Sequence, residues 1–201
     1  MLAGAAAPGT PLRSTPYAPS GNDAEIYAMN ANGTNQVNLT NYENEDSYPA
    51  WSPDGSKIAF TAFRGEFGNP EIFVMSPDGS DQVNITEDLA EDFDPAWSPD
   101  GSRIVFSRST GAHFHVYVMD ADGSNVQQLT DVEYNDAYVA WSPDGKEIAF
   151  TRFDEEGSGD VFTRDSAPAW SPDGDRIAFR SFRAARATPR SSRWTQTGAA
   201  R

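Results

Sequence analysis

Four aspartates each stand five residues ahead of a tryptophan: Asp46 before Trp51, Asp92 before Trp97, Asp136 before Trp141 and Asp165 before Trp170. If they recur at one position of a repeated unit, their carboxylates gather at one end of the molecule, as an acidic ring that attracts a cation or a basic peptide. The other use of such an Asp is local, its oxygens accepting from nearby backbone N–H groups to fix a turn. His113 and His115 are the only histidines and, being two apart, share one face of a strand. A zinc or manganese site there needs a third ligand from an Asp or Glu; His115 also occupies a slot that Glu25 and Glu71 hold elsewhere, where polarity suffices. The run Asp120-Ala121-Asp122-Gly123-Ser124-Asn125 is oxygen-rich like a calcium loop, but it lacks the third acidic position and the distal Glu. Its counterparts Asn30, Asn32, Ser76 and Asp78 vary, so a turn is expected. No Gly-x-Ser-x-Gly elbow and no cysteine occurs. The reading is therefore of no catalytic residue, no metal and no cofactor.

The elements that position these residues are written in repeats. Ala-Trp-Ser-Pro-Asp-Gly, followed by an apolar strand, occurs at Ala50–Phe60, Ala96–Phe106, Ala140–Phe150 and Ala169–Phe179. Each copy predicts a β-hairpin: Pro presets φ, Asp suits the next turn position, and Gly55, Gly101, Gly145 and Gly174 take the left-handed place. A second hairpin follows, with Glu25–Met29, Glu71–Met75 and His115–Met119 as first strands, Gly33, Gly79 and Gly123 in the turns, and Thr40, Thr86 and Thr130 ending the second strands.

A full unit thus has four antiparallel strands: A before Trp, B after Pro-Asp-Gly, C with the aromatic and Met, and D ending in Thr. The first three tryptophans are 46 and 44 residues apart, close to the roughly 40 to 45 residues of a propeller blade. In strand B, Ile58 and Phe60 share one face and Ala59 the other, a pattern repeated at Ile104, Phe106 and Val105 and at Ile148, Phe150 and Ala149. A strand apolar on both faces is buried on both, and stacked blades supply that environment. Trp51, Trp97, Trp141 and Trp170 are expected in the core at the end of strand A.

These residues resemble the Pro-Asp variety of WD-like β-propeller repeat, found in the C-terminal domain of TolB-type periplasmic proteins and in the propeller domains of prolyl-oligopeptidase-type peptidases. The resemblance covers residues 25 to about 182. It implies an all-β fold of four-stranded antiparallel blades and a protein-binding scaffold of the bacterial cell envelope, with the carboxylates of Asp46, Asp92, Asp136 and Asp165 at a channel mouth that takes a protein partner, for which a basic segment is a candidate contact. It also implies two alternatives: a propeller-type lyase with a metal site, or a truncated propeller fragment of a larger protein such as a peptidase. Fold alone does not choose among these.

The pattern breaks twice. From the strand C aromatic to the Asp before the next Trp the distance is 19 residues in three repeats, yet only 3 from Phe162 to Asp165. Three residues span at most about 10 Å, too little to return along a strand of roughly 17 to 20 Å. Residues 153 to 164 are therefore expected to be a loop, leaving that blade as a bare A-B hairpin. After Phe179 the sequence turns basic and loses alternation. The organisation read is a disordered leader (1–22), propeller repeats (23–182) and a basic disordered tail (183–201), whose composition also suits a truncated or frame-shifted gene end. About 3.5 to 4 blades result. Either the leading C-D hairpin completes the last A-B hairpin in a small ring, or a partial ring remains whose open edges invite self-association.

All 30 acidic residues lie between Asp23 and Asp175, so residues 1–179, with nine basic residues, carry a net charge of −21. Such a body repels phosphate backbones, and nucleic acid is not an expected partner. No apolar run approaches the roughly 20 residues of a membrane span. The apolar start, Met1 to Ala7, is short and has no basic residue ahead of it, so no signal peptide is expected.

Overall fold

The structure, a computed structural model, describes residues 12–14, 24–64, 68–109, 111–131, 133–153, 166–180, 191–195 and 199–200. All of its regular structure is β, and no helix occurs among the described residues. The chain divides into two compact units, residues 1–97 and 98–201.

The first unit holds β1 (Leu12–Ser14), β2 (Ile26–Ala28), β3 (Val37–Asn38), β4 (Asp46–Trp51), β5 (Ile58–Ala62), β6 (Glu71–Met75), β7 (Val83–Asn84) and β8 (Glu91–Trp97). One complete blade has the order β4-β5-β6-β7, all neighbours antiparallel. β2 pairs with β1 and β3, and β8 packs on β4, β5 and β6. In the second unit are β9 (Arg103–Ser109), β10 (Phe114–Asp120), β11 (Gln127–Gln128), β12 (Asn135–Trp141), β13 (Glu147–Phe153), β14 (Ser166–Trp170), β15 (Ile177–Arg180), β16 (Ser191–Thr195) and β17 (Ala199–Ala200). There β10 lies between β9 and β11, β12-β13-β16-β17 form a four-stranded sheet, and β14-β15 form a two-stranded one. The expected four-stranded antiparallel blades are thus present.

Each Pro-Asp-Gly segment is the expected hairpin turn. Gly55, Gly101, Gly145 and Gly174 have φ of 69°, 72°, 71° and 75°, and in the first copy Gly55 N–H donates to Ser52 O at 2.9 Å. Strand B is the most deeply buried element. Ile58, Ala59 and Phe60 are fully covered, as are Ile104, Val105 and Phe106, and Ile148, Ala149 and Phe150 are at most 1% exposed. The tryptophans sit where successive repeats meet: Trp97 donates its indole N–H to Ala50 O and Trp170 to Ala140 O, both at 3.2 Å. Trp141 is buried, while Trp51, Trp97 and Trp170 are half-buried.

Two features go beyond the sequence reading. β2 pairs with β1 as well as with β3, and the last A-B hairpin is the two-stranded sheet β14-β15. The blade expected to be a bare hairpin gains β16 and β17 from the segment read as a tail. The segment read as a leader likewise supplies β1, although most of both terminal segments lies outside the described residues. Edge pairing is made by backbone N–H and C=O groups, which every residue but Pro carries, so it leaves no alternation in the sequence to find.

One turn glycine is held by a close approach as well as by φ. A Cβ on Gly79 (φ 85°) would lie 2.4 Å from Leu39 O, whereas one on Gly33 (φ 83°) would meet nothing within 4 Å. Gly33→Ala should cost about 1 kcal/mol through backbone conformation alone, and Gly79→Ala about 3 kcal/mol or more, since the neighbouring backbone must shift as well. Urea denaturation of the two variants checks this; equal losses would contradict it.

Candidate functional site

The acid-bearing strands place their carboxylates inside the blades. Asp46, Asp92 and Asp136 are all fully buried, and Asp165 lies outside the described residues. Each of the three strands carries a residue of positive φ two positions later: Tyr48 (52°), Asp94 (56°) and Tyr138 (56°). At Tyr48 and Tyr138 this coincides with a bulge in the pairing with strand B. A bulge re-aims the strand locally, so the Asp side turns inward while Tyr48 stays 43% exposed.

Asp46 and Asp136 have arginine partners on strand B or just past it. Arg152, directly opposite Asp136 in the ladder, donates Nε–H and Nη2–H to the two Asp136 oxygens at 2.7 and 2.8 Å, a bidentate charge-assisted pair. This interaction raises the Arg152 pKa. Opposite Asp46 stands Ala62; the arginine comes two residues later, and Arg64 Nη2–H donates to Asp46 Oδ2. Arg64 also donates to Gln82 Oε1 at 2.5 Å and lies 4.2 Å from the centre of the Tyr42 ring. Burial outweighs the attraction of Arg64 and pushes the Asp46 pKa up to about 6. Asp46 and Asp136 therefore face arginines within their blades. Sequence reasoning missed these arginines, although their spacing of 18 and 16 residues after the Asp is the signal that a strand A–strand B pair leaves.

A second constellation ties strands C and D together. The backbone N–H of Ile26, Ile72 and Val116 each donates to the hydroxyl of Thr40, Thr86 and Thr130 at 3.0 Å. Thr40 and Thr86 pass a hydrogen bond on to Glu25 and Glu71. Glu71 accepts further from Asn69 Nδ2 at 2.8 Å, and its pKa is raised, chiefly by burial. At the third copy His115 holds the glutamate's place. The His113 and His115 rings are 6.4 Å apart, and both Nδ1 atoms are buried without a hydrogen-bond partner among the described residues. Among the described residues, Glu71, Asp88 and Asp92 bring their ligand atoms within 4.8 Å of one another. Asp88 and Asp92 have interactions of their own, so this cluster is part of the blade's polar network.

The turn carboxylates are structural. Asp54 Oδ1 accepts from Ser56 N–H at 3.0 Å and from Ser52 Oγ–H at 2.7 Å, and the arrangement recurs at Asp100 and Asp144. These bonds hold the pKa of each down to about 2. In the calcium-like run, Asp122 Oδ1 accepts from Ser124 N–H at 2.9 Å and Asn125 Nδ2 donates to Asp120 at 2.6 Å. That is turn geometry.

Exposed acidic and aromatic side chains stand on the first unit around the two loops that lead into β4 and β8, as Glu133 and Tyr134 do ahead of β12 in the second. Tyr42, Glu43, Glu45, Tyr48, Glu87, Leu89 and Glu91 are exposed on the first unit, Leu89 by 72%. Tyr48 meets Phe93 edge-on at 6.5 Å, and Phe93 meets Phe63 at 5.9 Å. An acidic rim with an aromatic patch is the result.

Repeated four-stranded antiparallel blades, joined through tryptophan and buried on both faces of strand B, define a β-propeller repeat protein. Residues 85–167 match the family model described as the TolB beta propeller domain. A structure assigned as TolB from Agrobacterium tumefaciens is similar over 86% of this chain and 71% of its own length, at 22% identity and a TM-score of 0.72. TolB from Acinetobacter baumannii is similar over 97% of this chain at 21% identity and a TM-score of 0.65; this chain spans 53% of that protein's length. An oligogalacturonate lyase solved with manganese is similar over 78% of this chain and 50% of its own, at 16% identity and a TM-score of 0.57. No curated protein matches. At these identities the solved structures show the fold.

Two predictions follow from the buried and the exposed carboxylates. Arg152→Met leaves Asp136 buried and uncompensated and should cost about 3 to 5 kcal/mol; the double variant with Asp136→Leu should lose less, measured by urea unfolding. For Asp144, folding lowers the pKa, so its contribution is full above about pH 4 and is lost as pH falls toward 2. The stability gap between Asp144→Asn and the parent should shrink over that window and stay flat above pH 5, and a gap independent of pH would contradict it.

Proposed function

We propose that this chain is a non-catalytic protein-binding propeller of the bacterial cell envelope, which takes a basic, extended segment of a partner on the rim of the first unit. The observation that carries this reading is the division of labour among its carboxylates. Asp46 and Asp136 are committed to Arg64 and Arg152 inside the blades, while Glu43, Glu45, Glu87 and Glu91 are exposed with Tyr42, Tyr48 and Leu89 around them in the loops. Exposed acids attract a cationic partner over a Debye length, and the aromatic faces hold its guanidinium or apolar groups at contact. The TolB-type repeats and the TolB structures of similar fold support the envelope setting. No helix among the described residues is long and apolar enough to cross a membrane.

A catalytic reading is separated by its own assay. The full chain, titrated with short extended peptides that alternate Arg or Lys with apolar residues, should bind in a salt-dependent way. The pair Tyr48→Ser with Glu45→Lys should weaken that binding about tenfold or more. Equal binding by parent and variant would remove the rim as the site, and formation of an unsaturated product from oligogalacturonate with added manganese would overturn the non-catalytic reading.

A further inference from the structure

The blade built on β12 and β13 takes its third strand from far along the chain, and the register shows how it is placed. In the first unit, β6 pairs with β5 so that Met75 stands opposite Ile58, Val74 opposite Ala59, Phe73 opposite Phe60 and Ile72 opposite Thr61. β10 repeats this on β9, with Met119 opposite Ile104, Val118 opposite Val105, Tyr117 opposite Phe106 and Val116 opposite Ser107. β16 enters the corresponding frame on β13: Trp194 is opposite Ile148, Arg193 opposite Ala149, Ser192 opposite Phe150 and Ser191 opposite Thr151. The edge of β13 is therefore read as a strand C position, and the segment 191–195 fills it.

The filling does not match the position. Two strand C places are fully buried in the other blades, those of Met75 and Met119 and those of Ile72 and Val116. β16 brings Trp194 to the first and Ser191 to the second, and a serine to the place of Phe73 and Tyr117. Backbone pairing holds any extended segment, whereas the pockets for alternate side chains decide which segment is preferred. By register the cis segment pairs along the ladder, but it brings strand C residue types to only part of these places.

We propose that the outer edge of β13 is a strand-acceptor site for an extended peptide of the strand C pattern, with aliphatic residues opposite Thr151 and Ile148 and an aromatic opposite Phe150, and that Ser191–Thr195 is its weak cis occupant. The partner is a separate extended segment of that pattern, and exchange for it displaces β16. This site belongs to the second unit and does not depend on the acidic rim of the first.

The test is fluorescence anisotropy of a labelled peptide with the sequence of residues 69–76, which carries Glu71–Met75, titrated with the full chain and compared with a scrambled peptide. The parent should bind the first and not the second. Ser192→Pro removes a backbone donor from the middle of β16, so it should tighten binding about tenfold or more. Ser191→Ile with Ser192→Phe gives the cis segment the strand C pattern and should weaken binding about tenfold or more while raising the thermal midpoint. Because this second variant improves the cis fit, it reads the site even if the proline variant does not fold. Failure of the peptide to bind any of the three proteins, or equal binding by parent and the Ile/Phe variant, overturns the proposal. So does a peptide-resistant dimer by light scattering, which would make a second copy the occupant.

Discussion

Everything in this protein depends on keeping strand B dry on both faces. Phe60, Phe106 and Phe150 on one side and Ala59, Val105 and Ala149 on the other are at most 1% exposed. One sheet can bury one face of a strand by curling over it; burying both needs a further layer on each side. Each large side chain so covered is worth about 2 to 3 kcal/mol, which makes stacking of repeats the main source of stability. The rest serves that stacking. Trp97 and Trp170 bond to the preceding repeat, Gly79 lets a turn approach Leu39, and the threonines ending strand D receive the N–H groups of strand C. In β15 the same pattern meets different surroundings: Ala178 is exposed and Ile177 half-buried.

Acidity is distributed by this architecture. A chain with 30 acidic residues would be unstable if many of them shared the interior uncompensated, and Asp46, Asp136 and Glu71, all buried, are given donors. Asp136 takes a bidentate arginine and Glu71 a threonine and an asparagine; the hairpin aspartates, exposed at the turns, accept from backbone and serine donors. The loops ahead of strand A have no such duty, so their glutamates stay in water. Carboxylates held by donors and carboxylates left in water are thereby separated within one repeat, a few residues apart.

Much of this was legible in the residues. The Ser-Pro-Asp-Gly turn, the large and small faces of strand B and the tryptophan spacing each have a local physical cause, and each stands where the repeats place it. The Asp–Arg pairs were harder, because finding them needs the ladder register including the bulge. Tyrosine is not a residue whose type announces a left-handed backbone, yet Tyr48 and Tyr138 adopt it and so decide which way Asp46 and Asp136 point. A pair 16 residues apart in one blade and 18 in another looks irregular until the ladder shows Arg152 directly opposite its Asp and Arg64 two places beyond. β16 was not legible at all, since backbone pairing on a vacated edge asks nothing of side-chain type. The acidic rim was likewise hidden, as Glu43, Glu45, Glu87 and Glu91 carry no motif and matter only through where the loops end.

The most direct measurement is hydrogen–deuterium exchange across the whole chain, read segment by segment. If two-sided burial of strand B governs stability, the amides of 58–62, 104–108 and 148–151 share the greatest protection, while those of 177–180 exchange orders of magnitude faster despite the same sequence pattern. Uniform protection of all four segments, or fast exchange in the three buried ones, would contradict the account.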